Sequence, residues 1–214
     1  FETLFRSANM PPGTGRKRAG GFTRTGEDHH ARIQIDLEDA YHGVRRSLAL
    51  QVPEIDAQGQ LTMRKHEIEF AVPKGVRAGQ HIRLAGQGAP GVGGGAAGDL
   101  YLEIVFRPHG HYRVDQRDVY LDLPVSPWEA ALGTSIEVPT PAGRLELTIP
   151  AGSAAGRKLR LRGRGIPAKL PGDFYFVLQI ALPPADTPAA TAAYEALAGQ
   201  FSGFDPRQRL GAIA

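Results

Sequence analysis

Apolar and polar residues alternate through short segments between His30 and Pro183, among them Arg32-Ile33-Gln34-Ile35, Ser47-Leu48-Ala49-Leu50, Glu67-Ile68-Glu69-Phe70-Ala71-Val72 and Val119-Tyr120-Leu121-Asp122-Leu123. A period of two sends successive side chains to opposite faces of a strand, so these segments predict half-buried β-strands. Gly and Pro punctuate them throughout. The texture is that of a mainly β protein.

The pattern also repeats. Asp36-Leu37-Glu38-Asp39-Ala40-Tyr41-His42-Gly43 corresponds to Ser126-Pro127-Trp128-Glu129-Ala130-Ala131-Leu132-Gly133. Each begins at a residue suited to cap a helix, carries an acid three positions later and stops at Gly, which predicts two short helices between strands. Pro73-Lys74-Gly75 through Leu84 then matches Pro150-Ala151-Gly152 through Leu161, and each reads as a hairpin. Gly98-Asp99-Leu100-Tyr101 and Gly172-Asp173-Phe174-Tyr175 open a closing strand in either copy. Two copies of one β-rich unit therefore stand in tandem, joined near His109-Gly110-His111. The expected division is 29–110 and 111–184.

The flanks read differently. Residues 1–28 contain Pro11-Pro12-Gly13, Arg16-Lys17-Arg18 and Gly20-Gly21 with little apolar periodicity, the composition of a flexible linker. The opening Phe1-Glu2-Thr3-Leu4-Phe5 has neither an initiator Met nor a signal-peptide pattern and reads as a cut inside a longer protein. In 185–214, Thr187 is placed to cap a helix with Pro188 in its first turn. Tyr194, Leu197, Ala198 and Phe201 then share one face at three- and four-residue steps. A helix this short is marginal alone in water and needs a partner surface.

Composition narrows the chemistry. Of 214 residues, 42% are hydrophobic and 22% charged, so a packed core is attainable and wholesale disorder is not expected. Cysteine is absent, which excludes disulfides and thiolate zinc sites. The run from Gly86 to Gly95 lacks the Lys-Ser/Thr ending of a phosphate loop and reads as a turn. His109 and His111 have no further ligand nearby in sequence, and closed metal sites want four. No catalytic constellation is legible, so no enzyme, cofactor or metal is expected.

The ordered set of motifs resembles the C-terminal domains of the DnaJ co-chaperone family, over roughly residues 25 to 210. Trp128-Glu129-Ala130-Ala131-Leu132-Gly133 and Phe204-Asp205-Pro206-Arg207 are most similar to the zinc-free, curved-DNA-binding branch of bacteria. The resemblance implies two tandem β-sandwich-like units, each with a short helix, followed by a C-terminal dimerisation helix. It also implies capture of unfolded polypeptides for a DnaK-type chaperone, duplex DNA as a second ligand, a homodimer, and a cytoplasmic, nucleoid-associated setting. The family's J domain carries a His-Pro-Asp triplet, and none occurs in these residues. This stretch is therefore expected to hold a client without activating DnaK. The rival reading is a nucleoid-structuring protein whose main ligand is DNA.

Carried over by motif position, the client groove would be lined by Ala31, Ile33, Leu48, Leu50 and Tyr112. The same alternating residues would be plain core if their side chains face inward, as half of any strand's do. The basic residues are a separate signal. Lys158, Arg160, Arg162 and Arg164 alternate with Leu159 and Leu161, which predicts cations sharing one strand face, and Arg45-Arg46 follow the first helix. A solvated face accounts for them as well as DNA contact does. No aromatic residue interleaves these cations in sequence, which argues against recognition of single strands.

Overall fold

The computed structural model describes residues 23–55 and 61–208. The basic Arg16-Lys17-Arg18 arm and most of the 1–28 linker lie outside them, as does the end of the tail. The described residues form eleven strands and three helices. The first copy of the repeat runs β1 (His29–Ile35), α1 (Leu37–His42), β2 (Val44–Ile55), β3 (Leu61–Val72), β4 (His81–Leu84) and β5 (Leu100–Phe106). After β6 (Tyr112–Asp115), the second runs β7 (Asp118–Val125), α2 (Pro127–Leu132), β8 (Thr134–Thr140), β9 (Gly143–Ile149), β10 (Lys158–Leu161) and β11 (Phe174–Ile180), and α3 (Pro188–Gln200) closes the chain.

The repeat is visible in the topology. Sheets ordered β1-β5-β4 and β7-β11-β10 match strand for strand, the second gaining β6 on its far edge, and two-stranded sheets β2-β3 and β8-β9 complete the copies. The architecture is mainly β, with sandwich-like units and a C-terminal helix, as the alternation and the repeat predict. One detail differs. The two Pro-x-Gly-x-x-x-Gly segments are not hairpins, because β3 and β4, like β9 and β10, belong to different sheets. They are crossing turns with Gly75, Gly79, Gly152 and Gly156 at positive φ, which an L side chain adopts at a cost.

The helices form where their caps are. The Asp36 N–H donates to the Asp39 carboxylate (3.1 Å). In the second copy the Ser126 N–H donates to Glu129 (2.7 Å) and the Glu129 N–H to Ser126 Oγ (3.3 Å). This reciprocal satisfaction of free N–H groups starts a helix too short to start itself. Gly43 and Gly133 end the helices at φ 73° and 80°.

The chain packs as two compact units. One holds the described residues up to Ile33 together with His81–Glu103; the other holds Gln34–Gln80 with the described residues from Ile104 onward. In the first, Leu100 and Leu102 are fully buried. Arg24 pairs with Val92 through two backbone hydrogen bonds (3.0 and 2.9 Å). The glycine run is a close-packed loop: a Cβ on Gly95 would lie 2.1 Å from the Arg24 carbonyl, and one on Gly26 1.8 Å from that of Ala89. In the second unit, Val119, Ile166, Phe174, Phe176 and Leu178 have no exposed surface. Phe174 and Phe176 pack with ring centroids 4.7 Å apart.

Candidate functional site

Strands β2 and β3 pair over twelve positions from Val44↔Val72 to Ile55↔Leu61 and join no third strand. Their outer edges therefore carry backbone groups without a strand partner among the described residues, which is where an extended peptide adds. Leu48 lies opposite Ile68, and Leu50 shares its face. Ile68 and Phe70 on that face are buried, whereas Leu48 and Leu50 stay half-exposed. The apolar face thus runs out of cover along β2. Elsewhere on β2 the pattern turns polar: Arg45 and Ser47 point to the opposite, exposed face.

The other residues assigned to the groove behave differently. Ala31 on β1 is half-buried and Ile33 is 9% exposed, a core position in its unit. Tyr112 on β6 is half-buried, tilted against His109 (4.6 Å) and edge-on to Phe174 (6.1 Å), with its hydroxyl donating to the Pro139 carbonyl (3.1 Å).

The basic residues divide into paired and unpaired groups. Arg46 reaches back to the first helix cap, pairing with Asp36 (3.2 Å) and Asp39 (2.5 Å). Arg45, on the other face of β2, points away from it, so the two do not form one patch. Arg160 pairs with Asp173 through Nε (2.7 Å). That carboxylate also accepts the Gly163 N–H (2.7 Å) and is held below its ordinary range by this bond first and by Arg160 second. Lys158, Arg162 and Arg164 meet no carboxylate at ion-pair distance among the described residues.

The expectation of four cations on one strand face is corrected here. Strand β10 ends at Leu161, and Arg162 and Arg164 lie in the following turn around Gly163 at φ 68°. Only Lys158 and Arg160 share the strand face. The turn is nonetheless anchored. The Tyr41 hydroxyl donates to the Arg164 carbonyl (3.1 Å) and Arg117 donates to those of Gly75 (3.0 Å) and Pro167 (3.2 Å). Burial pushes the Tyr41 hydroxyl well above its ordinary range, so it remains a donor.

No aromatic residue interleaves these cations in sequence, yet the fold brings two tyrosines beside them. The register Arg160↔Tyr175, Tyr175↔Tyr120 and Tyr120↔Arg113 places four residues in one row across β10, β11, β7 and β6. Tyr120 and Tyr175 stack at 4.8 Å with planes 10° apart. Arg160 lies 5.9 Å from the Tyr175 ring, and Arg113 and Lys158 each lie 5.8 Å from Tyr120. Both tyrosines occupy outward positions between buried neighbours, Val119 and Leu121 or Phe174 and Phe176. That alternation was the signal available in sequence.

On α3 the Thr187 cap is as predicted, its Oγ1 accepting the Ala190 N–H (3.1 Å). No residue of the helix is buried. Leu197 and the capping Phe201 are 50% and 62% exposed, Ala198 is exposed, and Tyr194 is half-buried with its hydroxyl donating to the Pro183 carbonyl (2.6 Å). The apolar stripe has no partner within the described residues. No helix among them is long and apolar enough to cross a membrane.

Residues 29–183 match the DnaJ C-terminal domain family. The chain belongs to this family. It is 44% identical over 211 residues to the curved DNA-binding protein of Coxiella burnetii (strain RSA 493 / Nine Mile phase I), covering 98% of this chain and 66% of that protein. Against the proteins of the same description from Salmonella arizonae and Pseudomonas syringae pv. tomato, identity is 40% over 188 and 200 residues. These matches cover 87% and 90% of this chain, and 61% and 63% of the relatives. The DnaJ C-terminal domain chain thus spans somewhat under two thirds of the length of these relatives. Its two repeat copies, from β1 to β5 and from β7 to β11, fall inside the matched region.

Proposed function

We propose that this chain captures unfolded polypeptide as the client-binding part of a DnaJ-type co-chaperone, acting with a DnaK-type chaperone through a J domain outside these residues. In this reading residues 29–110 hold clients, 111–184 carry the basic face and 185–214 associate two copies. The observation that carries it is the unaccompanied edge of β2 beside half-covered Leu48 and Leu50. Main-chain hydrogen bonds along the edge give affinity to any extended segment, and the apolar rim selects sequences rich in apolar residues. Such general capture is what non-native chains require. In this reading the protein works in the cytoplasm, with the nucleoid as a second location.

Leu48→Asp is expected to weaken an unfolded apolar peptide by 1–3 kcal/mol, roughly 5- to 150-fold, because a carboxylate must be desolvated against the rim. Fluorescence anisotropy measures the affinity, and circular dichroism checks the fold. Unchanged affinity in a folded variant rejects the β2 site.

Two copies would join through the bare stripe of α3, since a lone short helix needs a partner and like stripes are self-complementary about a twofold axis. Two grooves on one particle raise client avidity by roughly 10²–10⁴ over a single site. Replacing Leu197 and Phe201 together with Glu alters only exposed positions, leaves the buried core intact, and should give a monomer by sedimentation equilibrium. A variant that stays dimeric moves the interface elsewhere.

The second reading, duplex DNA binding, is favoured by Lys158, Arg162 and Arg164. None of the three holds a carboxylate at ion-pair distance among the described residues, so they are available to displace counterions from phosphates. The names of the relatives point the same way.

A further inference from the structure

We infer that the Arg160–Tyr175–Tyr120–Arg113 row is a binding site for unpaired nucleobases of single-stranded DNA or RNA, distinct in its contacts from the duplex binding proposed above. Sheet-borne aromatic rings flanked by cations are the general solution for holding single strands. Every base has a flat π-face to stack, and the backbone between bases carries one charge per nucleotide. This row supplies both components on one sheet surface. The two rings are already parallel, so the ordering a base would otherwise impose on them is in place before binding.

The row is not symmetric, and the asymmetry indicates where a base enters. At one end Arg160 is tied to Asp173, whose carboxylate is only 15% exposed and also holds the Gly163 turn. That end is fixed. At the other end Arg113 pairs with Asp122 at 3.0 Å, with the two side chains 64% and 49% exposed. An exposed pair of this kind contributes little and opens readily. A cleft of about 400 Å³ lies beside it, lined by Arg113, Val114, Asp115, Tyr120, Lys158 and Val177. A base occupying it replaces the Arg113 guanidinium against the free face of Tyr120, one flat π-partner for another. The displaced Arg113 and Lys158, 5.8 Å from the same ring, then meet the phosphates on either side.

The first copy of the repeat shows what the second has gained. There His30 stacks on Tyr101 at 5.1 Å and 14°, and Arg83 lies opposite Tyr101 in register. The position matching Lys158 is His81, opposite Glu103, which is itself paired with Arg32 at 2.7 Å. In the second copy Lys158 lies opposite apolar Val177 instead. The stacked pair is common to both copies; the unpaired ammonium beside a cleft belongs to the second. Tyr101 is therefore a built-in control.

Duplex DNA keeps its bases stacked and out of reach of a sheet surface, so it engages the cations but not the ring faces. The test follows from this difference. Anisotropy titrations compare oligo(dT) and oligo(rU) of about 12 nucleotides, within the usual range of site sizes, with a duplex of the same length at the same salt. Tyr120→Leu and Tyr175→Leu are expected to lower single-strand affinity by about 10-fold or more each, with duplex affinity unchanged. Tyr120→Phe should retain binding, because the ring and not the hydroxyl is used, and Tyr101→Leu should change nothing. On the parent protein, upfield shifts of tyrosine ring protons on adding oligo(dT), and not on adding duplex, report the stacking directly. Equal loss of single-strand and duplex affinity in the leucine variants overturns the inference while leaving duplex binding intact. So does an absence of ring shifts. Loss of unfolded-peptide binding in Tyr120→Leu with oligonucleotide binding preserved would assign the row to clients and overturn it equally. A preference between dT and rU separates the two sources of the strand.

Discussion

Phe174→Ala is expected to destabilise the protein by about 3–5 kcal/mol, the usual cost of emptying a large aromatic site in a packed core. Phe174 has no exposed surface, packs on Phe176 at 4.7 Å and receives the edge of Tyr112. Its neighbours along the chain are held from the other side: Asp173, just before β11, anchors Arg160 and the Gly163 turn, while Tyr175 stacks outward on Tyr120. With an unfolding entropy typical of this size, the melting temperature should drop by roughly 6–20 °C. Thermal unfolding followed by circular dichroism and by the fluorescence of Trp128, the single tryptophan, measures this. Tyr175→Leu makes the contrasting experiment, since a half-exposed outward ring should affect oligonucleotide binding far more than stability. A melting temperature unchanged in Phe174→Ala would mean that the pocket collapses around the smaller side chain or that the core lies elsewhere.

How far the sequence could be read follows from the range of each interaction. The helices α1 and α2 were legible because their signals are local: Asp36 to Gly43 and Ser126 to Gly133 contain cap, acid and stop within eight residues. The start of α3 at Thr187-Pro188 was legible for the same reason, and the repeat was legible as a match of ordered motifs. Pairing across strands was not. Arg46 looked free because Asp36 and Asp39 are brought to it only when the chain turns through α1. The sequence does not pair Arg160, because Asp173 reaches it only when the neighbouring strand β11, which Asp173 immediately precedes, lies alongside β10. The pairing of Tyr120 with Tyr175 is not legible for a related reason: their adjacency depends on the parallel pairing of β7 with β11, which the alternation within either segment does not encode. The break at Gly163, which removes Arg162 and Arg164 from the strand face, is local, but a positive φ is not visible in a Leu-Arg-Gly-Arg string.

These partners change what should be expected of duplex DNA. Changing Lys158, Arg162 and Arg164 together to Gln is expected to flatten the log–log salt dependence of duplex affinity by about 3 units. Each lost phosphate contact removes about 0.9 of slope. Between 50 and 200 mM salt the parent should then lose about 40-fold more affinity than the variant. Arg160→Gln and Arg46→Gln should each move the slope far less, because their charge is already met by Asp173 or by Asp36 and Asp39, and a phosphate must compete with a carboxylate in place. Arg45 is exposed on the opposite face of β2 from Arg46 and counts as a fourth contact, giving the parent a slope of about −4 per chain. None of the three helices has basic side chains arranged to enter a major groove: α1 and α2 are six residues long, and α3 carries no Lys or Arg. Base readout should therefore be slight, and any preference among duplexes should follow groove width and deformability. Titrations at four salt concentrations with the parent, the triple variant and the two single variants decide the matter. A triple variant that keeps the parental slope places the phosphate contacts elsewhere, and a slope that falls equally in Arg160→Gln would show that the Asp173 pair opens on binding.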